Sequence, residues 1–214
     1  MKNKSQMNLP NILTLVRLLL VPVVIVLILV SYYVEIKNGK NWDWTINMGD
    51  NFQLPILWLV AGLVFIIASF TDFLDGYLAR KNNQVTDFGK FFDPIADKLL
   101  VNSTLILFSV TGMLPVWMVL ILILRDIAVD FIRMILSKKG VTLAAGMGGK
   151  LKTMFQMIGL SILFFVNYKF FATGNISNEY GWLNQVLMIP MYIATFFSIY
   201  SGAVYFIKAK PSLF

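Results

Sequence analysis

Six stretches of this chain are each long and apolar enough to cross a lipid bilayer, and that restricts the possible folds more than any other feature of the sequence. A helix needs about 20 mostly apolar residues to span the hydrocarbon core. The windows fall near residues 12–31, 54–79, 91–112, 115–137, 151–172 and 183–207. Polar or helix-breaking residues stand at the joints. They are Asn82-Asn83 after the second window, Gly112 and Pro115 after the third, Gly140 and the Gly146–Gly149 run after the fourth, and Gly174, Asn175 and Asn178 after the fifth. Hydrophobic residues make up 58% of the chain and charged residues 14%, against roughly 25% charged in a soluble domain. The expectation is an all-α integral membrane protein, a single domain over residues 1–214, with six transmembrane helices. Ile12–Val30 follows Lys2 and Lys4 as a signal peptide would. It is long for one, and no small-residue cleavage site follows at Ser31–Val34, so it reads as a retained helix.

Basic residues orient the helices, because cytoplasmic loops carry an excess of Lys and Arg. Lys2 and Lys4 mark the N-terminus, Arg80, Lys81 and Lys90 the second loop, Lys138, Lys139, Lys150 and Lys152 the fourth, and Lys208 and Lys210 the tail. The first loop offsets Lys37 and Lys40 with Glu35, Asp43 and Asp50, and the fifth sets Lys169 against Glu179. Both termini are therefore expected in the cytoplasm. Trp42, Trp44, Trp117 and Trp182 suit the aromatic belt at the membrane interfaces. The net charge is +7, and its carriers lie between apolar runs with no basic-aromatic patch, so anionic lipid is the expected partner and nucleic acid is not. The chain has no Cys and no His, which excludes disulfides, thiolate metal sites, Ser–His–Asp triads and H-E-x-x-H zinc sites. Chemistry must run on carboxylates, cations, hydroxyls and backbone.

The segment Thr71–Lys98 reads TDFLDGYLARKNNQVTDFGKFFDPIADK. A charged carboxylate at mid-bilayer costs about 2.5–3.5 kcal/mol on insertion scales, so Asp72, Asp75, Asp93 and Asp97 need compensation. On a helix Asp72 and Asp75 lie about 60° apart, with Gly76 and Ala79 within about 40° of Asp72. Gly89, Asp93 and Asp97 step by four and form one stripe. Two carboxylate pairs on adjacent antiparallel helices match a site for two hard divalent cations. Carboxylates tied up in helix–helix hydrogen bonds, or paired with Arg80, Lys90 and Lys98, are the structural alternative. A transporter whose aspartates bind the moving cation is the alternative from another class, although no internal repeat accompanies them.

The segment fits the pattern D-x2-D-G-x2-A-R-x8-G-x3-D-x3-D at every specified position, and in this it resembles the CDP-alcohol phosphatidyltransferase family. The resemblance implies six transmembrane helices, a homodimer in the cell membrane, and a site open to the cytoplasm holding two divalent cations, Mg2+ or Mn2+. It implies that Asp72, Asp75 and Asp93 are metal ligands. Asp97 would be the general base and also a ligand, and Gly76, Ala79, Arg80 and Gly89 would bind the CDP group of CDP-diacylglycerol. A carboxylate can take the proton of an acceptor hydroxyl, and metal ions can neutralise a pyrophosphate. Direct displacement at phosphorus is simpler than a covalent route in a chain without His or Cys.

Two further segments, NLPNILTLVRLLLVP at Asn8–Pro22 and GKLKTMFQ at Gly149–Gln156, are similar to bacterial family members that make phosphatidylglycerophosphate. Within the first, Thr14 and Arg17 are candidates for holding CDP-diacylglycerol, with snorkelling of Arg17 to the headgroups as the alternative. Arg125 and Arg133 in the fourth window, with Lys150 and Lys152 at the start of the fifth, are candidates for an acceptor phosphate, which suggests sn-glycerol 3-phosphate. The alternative pairs the arginines with Asp126 and Asp130 and gives the lysines to lipid headgroups. Serine, inositol phosphate and phosphatidylglycerol are the other acceptors used on such a core.

Overall fold

The computed structural model describes residues 9–38, 45–47, 53–81, 87–141, 146–166 and 185–213, and within α2 and α3 it does not extend to the side chains of residues 72–81, 87, 88, 90 and 91. Its elements are α1 (Leu9–Asn38), β1 (Thr45–Asn47), β2 (Gln53–Pro55), α2 (Ile56–Lys81), α3 (Asp87–Val110), α4 (Val116–Lys138), α5 (Met147–Val166) and α6 (Ile189–Leu213). Every apolar window becomes a helix. β1 and β2 pair antiparallel, Ile46 opposite Leu54, in a two-stranded ribbon within the first loop that the sequence reading did not anticipate. Strands of three residues are too short to show a period-2 pattern.

Two of the expected joints close by the same device. Gly112 has φ 77° and Gly140 has φ 73°, a region open to glycine because it has no Cβ. After α3, Gly112 N donates to Ser109 O at 3.1 Å and Met113 N to Phe108 O at 2.8 Å. After α4, Gly140 N donates to Ser137 O at 3.0 Å and Val141 N to Leu136 O at 3.0 Å. Both are Schellman closures, which satisfy the last carbonyls of a helix. Pro115 then caps the start of α4, where its missing N–H costs nothing.

The chain forms two compact units, Met1–Leu107 with Phe164–Asn167, and Phe108–Leu163 with Tyr168–Phe214. In the first, α1 packs along α2. Val21, Val24 and Ile28 of α1 and Trp58, Ala61, Phe65 and Ala68 of α2 are buried. Phe164 lies over Gly62, where an added Cβ would come within 2.7 Å of the Phe164 Cβ, and its ring sits 5.2 Å from that of Phe65. In the second unit α4 packs on α6, burying Met118, Leu122, Met191 and Ala194. An added Cβ at Gly159 of α5 would meet Met191 Sδ at 2.6 Å, so α5 and α6 touch where only glycine fits.

Leu19, Ile67, Phe70, Leu124, Phe131, Phe196 and Ile207 are all more than half exposed. Such surfaces suit lipid, not water. By length and composition, α1 over Asn11–Val34, α5, and α6 over Ile189–Ser212 are candidate membrane spans. Among the described residues α2 contributes a shorter, mostly apolar stretch, Ile56–Thr71. Helices α3 and α4, of 24 and 23 residues, are long enough to cross about 30 Å but carry more charged residues.

Candidate active site

The first unit holds Asp93 and Asp97, the two aspartates of the sequence pattern whose side chains the structure describes. Gly89 is buried, and Asp93 and Asp97 flank the buried stripe formed by Ala96 and Leu100, each half-buried. The step of four places them along one side of α3, as the sequence indicates. The side chains of Asp72 and Asp75, and those of Gly76, Ala79 and Arg80, lie outside the described residues. Among the described residues no three acidic, His or Cys side chains converge. Asp93 and Asp97 offer oxygen donors only, which fits Mg2+ or Mn2+ better than softer metals.

Helix α1 reaches both aspartate-bearing helices. Thr14, 1% exposed, donates its hydroxyl to Asp93 Oδ1 of α3. One turn later Arg17 donates from Nε to the Ala68 carbonyl of α2 at 3.2 Å. Thr71 Oγ1 donates to the same carbonyl at 2.7 Å. Ala68 stands one turn before Asp72. Arg17 has 0% exposure, so its guanidinium lies within the helix packing and not at an exposed surface, as snorkelling would require. Asn11, in the same Asn8–Pro22 segment but not singled out from the sequence, is also buried, at 2%.

A second polar cluster lies in the other unit. Arg125 of α4 donates from Nη1 to Asp126 Oδ1 at 3.0 Å, from Nη2 to Ser201 Oγ at 2.7 Å and from Nε to the Ser198 carbonyl at 3.2 Å. Lys152 of α5 donates to Asp126 Oδ2 at 2.6 Å. Asp126 thus uses both oxygens to bridge two cations. The arrangement of two cations and one anion leaves a net positive charge, and Arg125 keeps two of its five N–H donors without partners among the described residues. The Lys152 side chain is 5% exposed and turns to Asp126.

The four cations proposed for an acceptor phosphate are therefore not equivalent. Arg125 and Lys152 share one network. Arg133 is exposed, 3.9 Å from Asp130, and Lys150 is exposed at the start of α5. Glycines make room: an added Cβ at Gly202 would stand 3.0 Å from Arg125 Cγ, and one at Gly149 would stand 3.8 Å from Arg125 Nη2. The sequence reading missed Ser198 and Ser201. Thr195, Ser198, Ser201 and Tyr205, spaced by three and four, were the available signal, since all four are buried on α6. Gln156 Nε2, Ser198 Oγ and Tyr205 Oη are buried without hydrogen-bond partners among the described residues, which marks this seam as polar beyond its own needs.

The aspartate stripe held from α1, and in the other unit the Arg125–Asp126–Lys152 cluster with its net positive charge, are each suited to binding groups of a phosphoester reaction. The chain belongs to the CDP-alcohol phosphatidyltransferase family, whose model matches residues 7–200. It is 40% identical over 212 residues to the CDP-diacylglycerol–glycerol-3-phosphate 3-phosphatidyltransferase of Bacillus subtilis, covering 96% of this chain and 97% of the relative. It is 35% identical over 203 residues to the protein of that name from Rickettsia typhi, covering 95% and 97%. It is 38% identical over 165 residues to the protein of that name from Mycoplasma genitalium, covering 76% and 69%.

Proposed function

We infer that this chain is a transferase of phospholipid biosynthesis that moves a phosphatidyl group from CDP-diacylglycerol to sn-glycerol 3-phosphate, giving phosphatidylglycerophosphate and CMP. The match to relatives of that activity along nearly the whole chain carries the inference. Family membership removes the cation-transporter alternative. The part-buried Arg125–Asp126–Lys152 network favours a phosphate-bearing acceptor over serine. The test is purified protein with CDP-diacylglycerol and a panel of alcohols: glycerol 3-phosphate, serine, inositol phosphate and phosphatidylglycerol. Phosphatidylglycerophosphate should form far faster than any other product. Preferential formation of another lipid would overturn the acceptor assignment.

The proposed chemistry is a single displacement. The acceptor oxygen attacks the phosphatidyl phosphorus, the bridging P–O bond to CMP breaks, and CMP leaves with the electron pair. Asp97 takes the hydroxyl proton, a role that a half-buried carboxylate can fill. Asp72, Asp75, Asp93 and Asp97 would hold two divalent cations. When bound, these supply neutralisation of the pyrophosphate and of the departing CMP. Gly76, Ala79, Arg80 and Gly89, with Thr14 and Arg17, are assigned to CDP-diacylglycerol, and Arg125 and Lys152, with Arg133 and Lys150 nearer the solvent, to glycerol 3-phosphate. EDTA should stop turnover, and Mg2+ or Mn2+ should restore it. Undiminished rates in metal-free buffer would sink this part of the scheme.

We also read the enzyme as one catalytic domain, homodimeric, with six spans and both termini in the cytoplasm. The family model runs through both compact units. The charges that lower the hydropathy of α3 and α4 have internal partners in Thr14, Lys152, Ser198 and Ser201, so those helices can enter lipid at reduced cost. Labelling checks this topology, since the chain has no native Cys. Lys81→Cys should react only from the cytoplasmic side and Asn41→Cys only from outside. The opposite pattern would invert the protein.

A further inference from the structure

We propose that Thr14 is a positioning residue for a cation-binding carboxylate, and that α1 acts as a bracket setting the two aspartate helices in register. The proposal rests on the reading of Asp93 as a metal ligand.

The observation is the hydrogen bond from the Thr14 hydroxyl to Asp93 Oδ1, across 79 residues of sequence. Thr14 is buried, so the bond is formed away from competing water. The terminal torsion of an Asp side chain is soft, with a broad two-fold profile, so an untethered carboxylate sweeps a range of orientations. A fixed donor on Oδ1 narrows that range and leaves Oδ2 as the oxygen presented to a cation. Hydrogen bonds of this kind orient metal-bound carboxylates elsewhere, and their loss typically costs 10–100-fold in metal affinity.

The second arm of the bracket lies one turn along. Arg17 is about 60° around the helix from Thr14, on the same side of α1, and it grips the Ala68 carbonyl of α2 one turn before Asp72. One face of α1 therefore fixes α3 at Asp93 and α2 just ahead of Asp72. Thr14, from the sequence a candidate for holding CDP-diacylglycerol, is here a partner of the aspartate.

Binding of Mn2+ to the purified, detergent-solubilised chain tests the proposal, with free Mn2+ followed by electron paramagnetic resonance and no CDP-lipid present. Thr14→Val keeps the shape and removes the hydroxyl, and should weaken Mn2+ binding by about tenfold or more. Thr14→Ser keeps the hydroxyl and should stay within about threefold of the unmodified chain, against that tenfold loss. If Thr14→Val does not fold, Thr14→Ala replaces it with the same expectation. Unchanged Mn2+ affinity in the hydroxyl-free variant, with a raised KM for CDP-diacylglycerol, would overturn the proposal and return Thr14 to the nucleotide. Equal losses in the Val and Ser variants would overturn it in favour of a purely structural contact. Asp93→Asn is the separate control: wild-type Mn2+ affinity there refutes the metal reading itself, whatever Thr14→Val shows.

Discussion

Asp93→Asn should abolish turnover while leaving the protein in the membrane fraction, and Asp72→Asn and Asp75→Asn should do the same. Neutralising a ligand removes much of the electrostatic stabilisation that bound cations give a transferring phosphoryl group. That stabilisation is worth several kcal/mol. Taking about 4 kcal/mol, the loss is about a thousandfold in rate. The substitution keeps size and hydrogen-bonding capacity, so α3 should still pack through Ala96 and Leu100. Thr14 would then face an amide in place of a carboxylate, a weaker acceptor but not a vacant space. Turnover and protein level, measured on the same membranes, decide the matter. Near-normal activity in any one variant removes that residue from the metal site.

The second large effect concerns Arg125. Replacing it with Ala removes a charge-assisted contact worth about 1.5–3 kcal/mol, or about a tenfold to 150-fold rise in the KM for glycerol 3-phosphate. The KM for CDP-diacylglycerol should move much less. Arg125→Lys should recover little of this, because an ammonium cannot reach Ser198, Ser201 and Asp126 together as the fork does. Lys152→Ala belongs with Arg125→Ala, since Lys152 is buried and shares Asp126. Arg133→Ala and Lys150→Ala should be mild, as both side chains are solvated. Steady-state kinetics with each substrate varied separately gives the answer. A general fall in activity with both KM values unchanged would mean that Arg125 serves only to hold α4 against α6. A selective effect on CDP-diacylglycerol would show that the two substrates are assigned the wrong way round.

Much of this architecture is legible in the sequence, for physical reasons that can be named. Gly112 and Gly140 announce helix ends because each ends a long apolar run, and both proved to sit at positive φ. The Gly89–Asp93–Asp97 stripe is visible because a four-residue step maps directly onto one side of a helix. What the sequence hides is pairing between distant helices. Nothing in Asn8–Pro22 says that Thr14 meets a residue 79 positions away. Ser198 and Ser201 look unremarkable in an apolar helix until Arg125 is seen against them. Lys152 reads from the sequence as a cation for an acceptor phosphate or for headgroups, and only the packing of α5 reveals that it turns inward to Asp126. Spacing along one helix reveals residues that share a face of it, and it is silent on partners that lie on another helix.

Ser201 is synthesised 76 residues after the Arg125 that it accepts from. At about 5–20 residues per second, α4 leaves the ribosome roughly 4–15 s before that partner exists. Lys152 trails Asp126 by 26 residues and arrives earlier, but it adds a second cation and no acceptor. During the interval the Arg125 guanidinium has Asp126 as its acceptor, without the two that α6 supplies. The arrival of α6 completes that set, so a helix made later finishes the polar pairing of an earlier one. A nascent chain stopped before Ser198 would be left with a half-satisfied Arg125, a ready substrate for quality control.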